Sequence, residues 1–187
     1  MWFYIGLVIV IISSIYCWYG TKKAYKKRKI LPIRIVVTIG IVYTSHFLLV
    51  LSASLNNIWP LPLNKSIALI AGIGAIGIGL TITLAGMIEF RSLKRINGLD
   101  SSTLITTGIY KWSRNPQYMG WSLTLLGISI MGKSGLALLL TTVLIISVHL
   151  YNIKLEEPHL ERIFGKEYYH YKLNTPRYIG IPRRVGK

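Results

Sequence analysis

Long apolar stretches alternate along this chain with short basic segments, and the first stretch, Met1 to Gly20, carries no Asp, Glu, Lys or Arg. At about 1.5 Å per residue a helix over that stretch reaches roughly 30 Å, the thickness of the hydrocarbon layer of a bilayer. The basic cluster follows this run instead of preceding it, and no small-residue cleavage site is visible. The pattern therefore predicts a retained first membrane helix, not a signal peptide. A second run from Ile35 to Leu55 and a third from Ser66 to Glu89 are close to the ~20 residues that a spanning helix needs. A fourth and fifth, Pro116 to Met131 and Gly135 to Asn152, are separated only by Gly132-Lys133-Ser134-Gly135, which predicts a tight helical hairpin. The fourth is short: roughly 16 residues make about 24 Å of helix, enough for a locally thin region or a partly re-entrant segment. The expectation is an all-α integral membrane protein with about five transmembrane helices, the last two a tight hairpin.

Composition agrees with that class: 52% of the 187 residues are hydrophobic and 15% are charged. A formal charge of +16 raises the question of nucleic acid. The basic residues, however, sit between and after the apolar runs and form no single stripe with interleaved aromatics, so no nucleic-acid partner is expected. Their placement bears instead on orientation, because Lys and Arg beside spanning segments stay cytosolic. With the amino terminus outside and the carboxy terminus cytosolic, Lys22, Lys23, Lys26, Lys27, Arg28, Lys29 and Arg34 face in, as do Arg91, Lys94, Arg95, Lys111, Arg114 and the basic tail. Only Lys65 and Lys133 face out. All six acidic residues, Glu89, Asp100, Glu156, Glu157, Glu161 and Glu167, fall at the same boundary. Cys17 is the only cysteine, which excludes an intrachain disulfide and cysteine-rich metal sites. His46, His149, His159 and His170 show no zinc spacing, and no metal is expected.

Polar chemistry is thus concentrated in Arg91 to Asn115 and in the tail from Lys154 to Lys187. Asn115 suits a helix N-cap and Pro116 the first helical position, so the fourth helix should open here with free N–H groups facing the cytosol. Such a start attracts anions, and a carboxylate from an amino-acid-like cofactor fits there with Arg114 as its charge partner. Asn-Pro as a plain cap, with Arg114 as a membrane anchor, explains the same residues. Glu156 and Glu157 close the fifth helix; paired carboxylates at a membrane boundary call for a cationic partner or for water. In the tail, Leu160, Ile163, Phe164, Tyr168 and Tyr171 recur at helical spacing around Gly165, predicting a short amphipathic helix that bends and continues, or a surface anchor. The third helix carries Ala71, Ala75 and Gly79 on one face, a spacing that lets another helix approach closely.

Taken together, Thr107-Gly108-Ile109-Tyr110, Arg114-Asn115-Pro116-Gln117-Tyr118-Met119-Gly120, Glu156-Glu157-Pro158-His159-Leu160 and Phe164-Gly165-Lys166-Glu167-Tyr168-Tyr169-His170-Tyr171 resemble, in order and spacing, the carboxy-terminal half of one group of enzymes. That group is the isoprenylcysteine carboxyl methyltransferase and phospholipid methyltransferase superfamily. The resemblance implies S-adenosylmethionine-dependent methyl transfer to a lipid-like acceptor entering from the bilayer, with residues 1–103 as helices and linker and residues 104–187 as a catalytic half ending in a cytosolic cofactor-binding tail. It implies a cofactor site with Tyr110, Asn115, Pro116, Tyr118 and Gly120 on one side and Glu156, Tyr168 and Tyr171 on the other, and catalytic roles for Arg114 and Glu157. Glu157 is the expected base should the acceptor be an amine. Gly72 and Gly74 resemble a Gly-x-Gly of the phospholipid enzymes. Arg114-Asn115-Pro116 stands where the carboxyl methyltransferases read Arg-His-Pro, and Tyr151-Asn152-Ile153-Lys154 where they place an arginine a few residues before the Glu pair, which argues against a prenylcysteine carboxylate as substrate. An NADPH-dependent sterol-type reductase and a non-catalytic scaffold or transporter are the competing readings.

Overall fold

A computed structural model describes residues 2–27, 30–90, 92, 99 and 101–182. Arg28, Lys29, Arg91, Lys94, Arg95, Asp100 and the last five residues of the tail lie outside the described residues. The elements are α1 (Trp2–Lys27), α2 (Ile33–Leu55), α3 (Lys65–Glu89), a 3₁₀ turn (Gly108–Lys111), α4 (Pro116–Met131), α5 (Gly135–Tyr151), a π turn (Asn152–Glu156), α6 (Glu157–Phe164) and α7 (Lys166–Asn174). Among the described residues the only β pairing is an isolated bridge between Pro60 and Ser134.

Among the described residues, four helical runs are long and apolar enough to cross a membrane: Phe3–Lys27, Ile33–Leu55, Lys65–Glu89 and Gly135–Phe164. Their outward faces are apolar, with Ile33 and Leu55 on α2 and Ile67, Ile70 and Ile88 on α3 all exposed. In lipid this is the stable arrangement, since each helix satisfies its own backbone and needs no polar coat. α1 extends past the expected Gly20 to Lys27, because lysine stems continue a helix while their ammonium groups reach water. α4, at 16 residues, falls short of span length. Thr124, Leu125, Gly127, Ile128 and Ser129 are all buried, so neighbouring helices cover much of its length.

The packing of α3 along α4 sets the shape of the bundle. A Cβ on Gly79 would lie 2.6 Å from the carbonyl oxygen of Gly120, and one on Gly127 would lie 2.7 Å from that of Gly72. The backbones therefore touch, and only glycine fits at either crossing. The buried face of α3 is Ala68, Gly72, Gly79, Thr83 and Gly86, so of the Ala71, Ala75, Gly79 stripe expected from sequence only Gly79 lies on it. Successive four-residue steps each drift about 40° in the same sense around a helix, whereas a four- and a three-residue step together, seven residues, drift only about 20° and stay on the seam. Gly72 is thus a packing residue and Gly74 faces open space.

At one end of the bundle the loop after α2 closes on the α4–α5 hairpin. Leu61 N–H donates to Lys133 O (2.8 Å), and the Ser134 hydroxyl donates to Ile58 O (2.7 Å) while accepting from Ala137 N–H as the cap of α5. At the other end α5 runs into the π turn, whose wider winding adds a residue and shifts the register of α6. Gly165, at φ 53° and ψ −123°, then breaks the helix. That conformation is nearly exclusive to glycine, and it folds α7 back against the 3₁₀ turn.

Candidate active site

The loop that carries the 3₁₀ turn is tied to the end of α3. The Thr107 hydroxyl donates to Glu89 Oε2 (2.8 Å), and Gly108, at φ 54°, lies directly against the same carboxylate. Gly108→Val is expected to cost about 1–3 kcal/mol through backbone strain. The cost should be read as a lower unfolding temperature in detergent, with Gly74→Val, which meets open space, as a control that does not lower it. Tyr110 is buried beside Phe90 in an edge-on ring contact of 5.5 Å. Its phenol accepts from Gln117 Nε2 (3.1 Å), and its carbonyl accepts from the Tyr171 hydroxyl (2.7 Å), which fastens α7 to the turn. Burial raises the phenols of Tyr110 and Tyr171 above their ordinary value, and burial with the nearby Glu157 carboxylate pushes Tyr168 up to about 12. All three are neutral hydrogen-bonding groups at physiological pH.

Residues 175–177, after α7, form a strap against the start of α4. Arg114 N–H donates to Pro176 O (3.0 Å), Arg114 Nε to Thr175 O (3.1 Å) and Asn115 Nδ2 to Arg177 O (3.1 Å). Asn115 thus holds the N-cap position, but its side chain makes no cap bond to α4. Inside the strap lies an ion triad. Glu157, 5% exposed, accepts from Arg114 Nη1 (2.9 Å), Arg177 Nε (2.6 Å) and Arg177 Nη2 (3.0 Å). Arg114 Nη1 also donates to the Tyr168 hydroxyl (3.2 Å). Both oxygens of Glu157 are engaged by guanidinium N–H groups, and Arg114 is satisfied by protein on three sides. The two residues expected to serve as proton acceptor and anion partner, Glu157 and Arg114, thus hydrogen-bond to each other. Arg177 escaped the sequence reading; the signal was a lone cation directly after Thr175-Pro176, where proline bars further helix and turns the chain back.

Glu156 is held differently. Its one hydrogen bond among the described residues comes from the Tyr118 hydroxyl (3.1 Å), and it borders a cleft of 450 Å³. Tyr110, Arg114, Asn115, Tyr118, Glu156, Glu157, Tyr168 and Tyr171 all line this cleft. Pro116 and Gly120 do not: Pro116 packs toward Gly86 at the helix start, and Gly120 sits in the α3–α4 seam. Tyr25, Tyr43 and Trp121 also line the cleft and were not singled out in the sequence. Tyr25 and Tyr43 belong to the first two helices, where aromatic residues read as ordinary membrane composition.

Residues 67–167 match the phospholipid methyltransferase family. The chain belongs to that family. The matched span covers α3, the 3₁₀ turn, α4, α5 and α6, which supply most of the cleft walls, whereas Tyr25, Tyr43 and the strap lie outside it. Among curated proteins, the phospholipid methyltransferase family member described here is similar to protein-S-isoprenylcysteine O-methyltransferase of Xenopus laevis, at 35% identity over 83 residues, 44% of this chain and 28% of that protein. The Saccharomyces cerevisiae protein of the same name is 32% identical over 79 residues, 42% of this chain and 32% of its own length. Protein-S-isoprenylcysteine O-methyltransferase B of Arabidopsis thaliana is 26% identical over 115 residues, 56% and 57% of the two chains. The matches thus span less than a third of the frog and yeast relatives. No solved structure matches the chain.

The donor set of the cleft suits an amino-acid-bearing nucleoside. Without a side-chain cap, the first turn of α4 leaves N–H groups for a carboxylate, next to Gln117 on the cleft wall. Phe90, Tyr110, Tyr168 and Tyr171 offer aromatic surface for a base, and the volume lies within the range of about 300–1,000 Å³ usual for small-molecule sites.

Proposed function

We propose that this chain is an integral-membrane methyltransferase that uses S-adenosylmethionine to methylate a lipid-like acceptor at the cytosolic membrane face. The observation that carries the reading is one cleft joining two environments. Its polar end is built from the 3₁₀ turn, the start of α4 and α7. Its apolar side runs between α2 and α3, with Val36, Ile39 and Tyr43 on one wall and Thr83, Met87 and Phe90 on the other. A water-soluble donor fits the first and an acceptor arriving laterally from the bilayer fits the second. Family membership and the relatives' names support the chemistry. Lys22, Lys23, Lys26, Lys27, Lys111 and Lys154 gather at the cleft end of the bundle and Lys65 and Lys133 at the other, which supports a cytosolic cleft.

When bound, S-adenosylmethionine supplies a methyl group on a sulfonium, already an electrophile, so the protein's task is chiefly alignment and exclusion of water. In residues 104–187, Tyr110, Gln117, Tyr168 and Tyr171 wall the donor's end of the cleft, and the Arg114–Glu157–Arg177 triad holds that wall closed beneath the strap. Residues 1–103 contribute the acceptor's approach along α2 and α3.

Calorimetric titration of the detergent-purified protein with S-adenosylhomocysteine, with NADPH in parallel, tests the reading. Saturable binding of S-adenosylhomocysteine and none of NADPH is the expected result. Saturable NADPH binding with no response to S-adenosylhomocysteine would move the chain's chemistry to reduction.

A further inference from the structure

Beside α4, and sharing only Tyr118 with the cleft, lies a second cavity, a groove of 330 Å³. Ile82 of α3, Leu123 of α4, and Ile145 and Val148 of α5 form its walls, and among the described residues no charged side chain lines it. α3 and the run that contains α5 both have span length, so the groove lies at bilayer depth. From Tyr118 to Leu126 it follows α4 for about 12 Å. Over that length its volume gives a cross-section of roughly 27 Å², a third of what a helix ~10 Å across fills, so a hydrocarbon chain fits and a helix does not. Tyr178 and Ile179, directly after the strap, close one end. The Tyr178 hydroxyl lies 2.7 Å from His149 Nδ1, which ties this end to α5. Ile179 and Ile181 are 76% and 81% exposed although they stand beside membrane-length helices, and apolar side chains left uncovered in such a place mark contact with lipid. Arg177 precedes Tyr178, and its side chain is 30% exposed. Two guanidinium groups, Arg114 and Arg177, share the single carboxylate of Glu157. One positive charge is therefore left over at this end, and Arg177 is its exposed part.

We propose that this groove binds one acyl chain of an anionic phospholipid of the bilayer, with the phosphate at Arg177, and that the bound lipid braces the strap against α4 and α5. The inference goes beyond the methyltransferase reading and does not rest on it, because this lipid is held and not methylated. Lipid tails are as apolar as the groove, so the chain gains through close van der Waals contact with the walls and not through the hydrophobic effect. The headgroup supplies the preference. A phosphate accepts charge-assisted hydrogen bonds from a guanidinium group, whereas a zwitterionic headgroup brings a cation of its own that offsets the attraction. A chain seated there touches Tyr178 and Ile179, and a strap that lifts away gives up that contact. Occupancy thus favours the closed strap by mass action. Tyr118 stands between the two cavities, so the same chain backs the ring whose hydroxyl donates to Glu156.

The protein is placed in phosphatidylcholine nanodiscs that carry a trace of either phosphatidylglycerol or phosphatidylcholine with a photoreactive diazirine in mid-chain, and the labelled peptides are mapped after irradiation. Label around Leu123 and Ile145, relative to label on the lipid-facing Val8 and Ile12 of α1, is expected to be about fivefold higher with the phosphatidylglycerol probe, the preference that one basic group confers on an anionic headgroup. Replacing part of the bulk lipid by unlabelled phosphatidylglycerol should slow tryptic cleavage after Arg177 by about twofold or more. Leu123→Trp, which fills the groove, should lose both effects, and Leu139→Trp, at an exposed position of α5 outside the groove, should keep both. Equal ratios for the two probes in wild type overturn the proposal whether or not the variants fold. So does label confined to cleft peptides around Val36 and Tyr43, which would give the lipid to the acceptor's path. An unlabelled groove across which two copies of the chain cross-link would make this face an interface between chains, and cleavage after Arg177 that ignores phosphatidylglycerol would remove the bracing; either result overturns the proposal.

Discussion

Glu157→Ala is expected to unlatch the carboxy-terminal strap and to cost about 3–5 kcal/mol, the range for removing one partner from a buried ion cluster. Glu157 is buried, and its carboxylate is what lets Arg114, with a side chain 7% exposed, sit beside Arg177. Without it two guanidinium groups face each other with no counter-ion, and the favoured response is for residues 175–177 to leave the start of α4. Glu157→Gln keeps an acceptor oxygen but loses the charge, so it should fall between wild type and alanine. Unfolding temperature in detergent and protease cleavage near Thr175 measure the effect, and methyl transfer should fall with the strap. An unchanged unfolding temperature and intact strap in Glu157→Gln, combined with lost methyl transfer, would support Glu157 as the proton acceptor instead.

The contrast between the two adjacent glutamates shows where sequence reasoning stops. That both need partners was legible from their position at the end of an apolar run. Which one is matched depends on Arg177, twenty residues downstream, and on a π turn that no local pattern announces. The membrane helices were legible because each is a continuous apolar run, and the hairpin at Gly132 to Gly135 and the break at Gly165 were legible because glycine marks both. The seam of α3 was read correctly at Gly79 but misread at Ala71 and Ala75, since small side chains occur on several of its faces and only the partner helix decides which is used. Asn115 kept its N-cap position but turned its side chain to the strap. Tyr25 and Tyr43 could not be found at all from spacing: they line one cleft with Glu156 only because α1 packs on α2 and the π turn, and α2 on α5, bringing together residues more than a hundred positions apart.

The α3–α4 seam is the second place where one substitution should have a large effect. A Cβ on Gly120 would stand 2.5 Å from both Gly79 O and Thr83 Oγ1, and 2.7 Å from Thr83 N. Two of those three atoms are backbone, so no rotamer change relieves the clash. Gly120→Leu must push the helices apart, and overpacking of this kind costs about 1–3 kcal/mol, with rigid backbone contacts at the upper end. The damage does not stay local. Tyr118, two residues away on α4, holds Glu156, and α3 anchors the 3₁₀ loop through Glu89 and Thr107. A wider seam therefore separates the two halves of the cleft wall. The expected outcome is a sharp fall in monodisperse protein and in unfolding temperature, with any surviving fraction poor in S-adenosylhomocysteine binding. Gly77→Leu, at a position with open space around it, serves as the matched control and should retain both. If Gly120→Leu matched that control, close backbone contact would not be what holds α3 to α4, and lipid-facing packing of the surrounding isoleucines would have to carry the seam instead.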